Sequence, residues 1–67
     1  MDNIEFGKFL QNERKRRGIS QENLAKMTGF TKRAVQYWES GKRSISLENA
    51  NVIANALDIQ FVVGKTK

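Results

Sequence analysis

The chain has 67 residues, with twelve Lys and Arg against seven Asp and Glu, no cysteine and no histidine, for a net charge of +5. That composition excludes a disulfide framework and a thiolate or imidazole metal site, at a length near the lower limit for a domain held by an apolar core alone. It also argues against an enzyme: there is no His or Cys to act as nucleophile or base, no phosphate loop, and the acidic residues are scattered over segments committed to packing or caps.

The charge is unevenly placed. Residues 8 to 43 carry ten positive and three negative side chains, and the remainder carries two positive and four negative. A basic middle between mildly acidic ends suits a polyanion-facing surface or, equally, a solubilising face. No apolar run approaches the roughly 18 residues of a membrane span. The opening MDNIEFGKFL lacks the basic-then-apolar layout of a secretory signal, so the expected location is cytoplasmic, at the nucleoid.

The first predicted helix runs from residue 3 to about 17, with Phe6, Phe9, Leu10 and Glu13 on neighbouring rows. Its Arg14-Lys15-Arg16-Arg17 end meets the negative pole of the helix dipole, and Gly18 supplies a left-handed closing residue. Arg14, four residues after Leu10, falls on the inward row. Ser20 is an N-cap for a short helix over 21–27, anchored by Leu24 with Ala25 beside it, and Gly29 breaks it.

Thr31 caps the next helix, 32–40, whose buried stripe is Val35 and Trp38 and whose wet side carries Lys32, Arg33, Gln36 and Tyr37; Gly41 ends it. Ser46 caps a fourth, 47–57, with Leu47, Ala50, Ile53, Ala54 and Leu57 at helical spacing. The tail IQFVVG, 59–64, is rich in β-branched and aromatic residues and reads as a strand. The expected fold is therefore all-α: a four-helix core over 1–58 with a strand or tail over 59–67, in one domain.

The middle of this layout is a short helix, a turn and a second short helix. Counted from Gln21, Ala25 is fifth, Gly29 ninth, Val35 fifteenth and Trp38 eighteenth. The fifth position, at a helix crossing, takes only a small side chain. The ninth needs a backbone conformation unfriendly to side chains, and the last two hold the second helix to the core. Such a pair projects its second helix outward, at a size that enters the roughly 12 Å major groove of B-DNA.

In "RKRRGISQENLAKMTGF", "TKRAVQYWESGKR" and "SLENANVIANALDI", in that order, the chain resembles the lambda-repressor-like (Cro/C1, or XRE) helix-turn-helix domains over residues 6 to about 59. It departs from the family where Ile45 stands in place of a frequent proline, and in the bulk of Tyr37 and Trp38. The resemblance implies a double-stranded DNA-binding transcriptional regulator without a cofactor. It implies base contacts from Lys32 and Arg33, with Gln36 and Tyr37 one turn on. Arg is shaped to grip guanine O6 and N7, and Gln to read adenine. It further implies phosphate contacts from Gln21, Ser40, Lys42 and Arg43, and a structural ion pair between Arg14 and Glu39.

Two classes of function remain open at this stage. One is a repressor bound to a pseudo-palindromic operator as a homodimer. The other is an antitoxin or adaptor whose main partner is a protein, with DNA binding as autoregulation. The tail bears on both, since it can pair with its two-fold mate, fold onto the core through Phe61, or extend a partner's sheet.

Overall fold

Every helix starts at a side-chain oxygen that accepts from a backbone N–H three residues on. In the computed structural model, which describes residues 2–59, Asp2, Ser20, Thr31 and Ser46 accept from the amides of Glu5, Asn23, Ala34 and Asn49. These caps open α1 (Asn3–Arg16), α2 (Gln21–Thr28), α3 (Lys32–Ser40) and α4 (Leu47–Leu57). Each cap satisfies an orphan donor and is worth about 1 kcal/mol. The Asp2 cap is a full capping box, because the Glu5 carboxylate reaches back to the Asp2 amide.

The helix ends are as local as the starts. Gly29 closes α2 at φ 83° and Gly41 closes α3 at φ 78°, in the left-handed region, and Gly18 after α1 sits there too. At the end of α3 the Gly41 amide donates to Trp38 O and the Lys42 amide to Tyr37 O, a Schellman closure. Helix α4 ends on a left-handed residue that is not glycine, Asp58, at φ 58°.

Leu10 of α1, Leu24 and Ala25 of α2, Val35 and Trp38 of α3, and Ile53 and Leu57 of α4 form one buried cluster. Phe30 stands edge-on to Trp38 with ring centroids 5.0 Å apart, sealing the α2–α3 turn over the core. Helix α1 packs chiefly on α3, and α2 lies against both α3 and α4. The approach of α1 to α3 is made at Gly7, where a Cβ would stand 2.5 Å from the carbonyl oxygens of Trp38 and Glu39. Only glycine fits there, for want of room rather than for its φ.

The described residues are all-α, with helix boundaries within one residue of those read from the sequence. One packing expectation is corrected. Leu47 was expected in the apolar stripe of α4, yet it is 63% exposed. The first turn of α4 projects past the core, so the stripe begins at Ala50, and Leu47 lines a shallow cavity with Phe6 and Ile45. Ile59 packs on the core outside any strand, and the rest of the segment expected to be a strand, 60–64, lies outside the described residues. No described helix is long and apolar enough to cross a membrane.

Candidate nucleic-acid interface

Helix α3 has two unlike sides. Inward, Val35, Trp38 and Glu39 are buried. Outward, Lys32, Arg33 and Gln36 are exposed, and none of the three side chains has a hydrogen bond or ion pair within the described residues. Tyr37 lies between the two sides, half-buried, and the Arg43 guanidinium carbon sits 5.1 Å from its ring centroid, in cation–π range. Lys32 and Arg33 stand in the first turn of α3, as the sequence places them, and both are exposed.

Beside this face, Arg33, Tyr37, Arg43, Ser44, Ser46 and Asn49 line a cleft of about 480 Å³ between α3 and the start of α4. Ala34 and Trp38 supply an apolar floor, and the two guanidinium groups, with hydroxyls and an amide and no carboxylate among the lining residues, suit an anionic group such as phosphate. Ser44, Ser46 and Asn49 were not anticipated as neighbours of the outer α3 face. Their signal in the sequence is faint, because Ser46 and Asn49 read simply as a cap and its first turn. Lys42 is exposed, while Ser40 Oγ donates its single proton to Tyr37 O at 3.1 Å.

Behind the face, one polar network ties three elements together. Arg14 Nε donates to Glu39 Oε2 at 2.6 Å and Arg14 Nη2 to Glu39 Oε1 at 3.0 Å, with the side chains 8% and 2% exposed. Arg14 Nη1 donates to Ile19 O at 2.7 Å, just before the cap of α2. Gln21 Nε2 donates to Glu39 Oε1 at 3.0 Å. No buried side-chain polar atom among the described residues lacks a partner. The bidentate Arg14–Glu39 contact fixes α3 against α1 in orientation as well as distance. Glu39 is thus held as an acceptor for two donors and is not presented to solvent as a base.

Arg16 and Arg17, at the end of α1, serve the scaffold. Arg17 Nε donates to Leu57 O at 2.6 Å, meeting the carbonyl end of α4. Arg16 and Arg17 also bond Glu13, and those bonds hold its carboxyl below the usual carboxylate range. Among the described residues no three His, Cys, Asp or Glu gather into a metal site.

A recognition pair held by caps, with a cationic outer face on its second helix and a carboxylate-free cleft beside it, defines a helix-turn-helix module. The helix-turn-helix family HTH_3 matches residues 10–63, most of the chain. The protein belongs to that family of DNA-binding regulators, in its lambda-repressor-like (Cro/C1) branch. Eight solved chains match it. Among them is the restriction-modification controller protein C.AhdI from Aeromonas hydrophila, 41% identical, with a TM-score of 0.85 over 88% of this chain and 86% of that one. No curated protein sequence gives a match.

Proposed function

We propose that this protein is a sequence-specific transcriptional regulator that lays α3 in the major groove of double-stranded DNA. Lys32, Arg33, Gln36 and Tyr37 read base edges, and Gln21, Ser40, Lys42 and Arg43 hold phosphates on either side. The observation that carries this is the outer face of α3, where three long polar side chains stand exposed and uncommitted on a helix fixed rigidly from behind. Arg43, stacked on Tyr37, sits between base and phosphate duties, and Ser40 exchanges its bond to Tyr37 O for one to DNA.

The likeness to a restriction-modification controller supports the same role here, in the cytoplasm at the nucleoid, with control of a restriction–modification operon as the biological setting. The protein acts as a repressor and a homodimer, because one module of this size buries little DNA surface. Two half-sites about 34 Å apart multiply its affinity. Pairing of the protomers is assigned to the tail that the sequence marks over 59–64, beyond the contact Ile59 makes with its own core. Deleting residues 60–67 then leaves monomers by light scattering, and a truncated chain that stays dimeric rejects that pairing.

The test is titration of random duplex, and of DNA upstream of the protein's own gene, across a salt series. Log K falls with log salt at about −0.9 per phosphate contact, and the upstream DNA binds more tightly. Weak binding to both with little salt dependence turns the assignment toward a protein partner, as in an antitoxin or adaptor.

A further inference from the structure

The Gln21 side chain leads from the buried network to the surface. Its amide has a donor end and an acceptor end that rotate about a soft torsion, and only the donor end is of use to a phosphate, which accepts and never donates. Glu39 resolves that choice. Its carboxylate has acceptors only, so the 3.0 Å contact has to be made by the Gln21 nitrogen. Glu39 is itself immobilised by two bonds from Arg14, and Arg14 by Ile19 O at the threshold of α2. The amide nitrogen carries two hydrogens. One is given to Glu39, and the other has no acceptor within the described residues, on a side chain that is only half-buried.

We propose that Glu39 is a positioning residue for DNA binding: by accepting from Gln21 Nε2 it selects the amide nitrogen, and with it a second N–H, as the group Gln21 offers to a phosphate. The inference rests on the reading of Gln21 as a phosphate contact and adds what makes that contact directional. The Arg14–Glu39 pair then has two outputs. It fixes the pose of α3, and through Gln21 it sets the donor at the start of α2, so the groove-reading helix and the phosphate anchor are registered by one carboxylate.

The experiment has two arms on the full chain. In the first, the side-chain amide protons of Gln21 are followed by ¹H–¹⁵N NMR as a duplex is added. One proton, bonded to Glu39, stays in place while the other moves downfield. Both protons moving together, or neither moving while backbone amides of α3 report binding, overturns the proposal. In the second arm, duplex affinities of Gln21→Met, Glu39→Gln and the double variant are compared. Gln21→Met lowers affinity about tenfold with an unchanged salt slope, because a neutral donor releases no counterion.

In the Glu39→Gln background, where residue 39 no longer demands a donor, the same change costs less than about threefold. Losses that simply multiply, or a Gln21→Met variant with a lower Tm and wild-type affinity, leave the network a purely structural role. Should Glu39→Gln fail to fold, the NMR arm on the unmodified protein decides alone. A wild-type chain that binds no duplex at any salt removes the DNA-binding reading itself, a result distinct from binding that ignores Gln21.

Discussion

The two sides of α3 are built on opposite rules. The inner side is over-determined: Val35 and Trp38 are packed, Glu39 accepts three hydrogen bonds, and Gly7 admits α1 to direct contact with the helix backbone. On the outer side the side chains of Lys32, Arg33 and Gln36 are exposed and make no hydrogen bond or ion pair within the described residues. A helix so firmly held on one face and so uncommitted on the other keeps its pose while its free side chains adapt to a partner. Changes on the inner face are therefore expected to show in stability, and changes on the outer face in binding alone.

Glu39→Ala is expected to give the largest effect, leaving the Arg14 guanidinium buried without its partner at a cost of about 3–5 kcal/mol. Urea denaturation measures it, and an unchanged midpoint would mean that the pair does not lock α1 to α3. Gly7→Ala comes next, at about 1–3 kcal/mol, because its methyl group meets backbone oxygens on α3 that have no room to yield. The same melt should show it.

Across the helix, Arg33→Ala is expected to leave the melting curve in place and to weaken binding to a preferred duplex by about 1–3 kcal/mol, with less loss on random DNA. A stability change there as large as that of Gly7→Ala would erase the contrast between the two faces. The smallest effects lie at the helix ends. Ser46→Ala should cost about 1 kcal/mol through loss of the α4 cap. Asp58→Gly should stabilise by a few tenths to about 1 kcal/mol by relieving the left-handed backbone at φ 58°. If Asp58→Gly destabilises, that end of α4 has a partner that the backbone geometry does not reveal.

The same division explains how much was legible beforehand. The three Ser and Thr caps, the closing glycines and the Val35–Trp38 stripe act within a few residues of one another, so their pattern predicts α2, α3 and α4 nearly to the residue. The Asp2-to-Glu5 capping box is equally local, and its signature stands in the sequence although it was not among the features read there. Gly7 was silent because its reason lies 31 and 32 positions away, in carbonyl oxygens that reach it only once α1 and α3 have packed. Gln21 read as a helix-start residue facing phosphate, and its bond to Glu39 is set by the crossing of α2 and α3, which spacing along one helix does not encode. Leu47 misled for the related reason that helical periodicity marks a face without saying how far along the helix the core extends.

The division between the faces is tested most directly by mapping backbone amide shifts of the ¹⁵N-labelled protein as a duplex is added at moderate salt. The expected result is a continuous perturbed surface over Gln21, residues 31–37 and residues 42–44, with the outer residues of α4 unmoved and the inner face of α3 shifting little. Perturbations centred on the exposed residues of α4, with Lys32, Arg33 and Gln36 unmoved, would contradict it and show that the free face of α3 is not the surface that meets DNA.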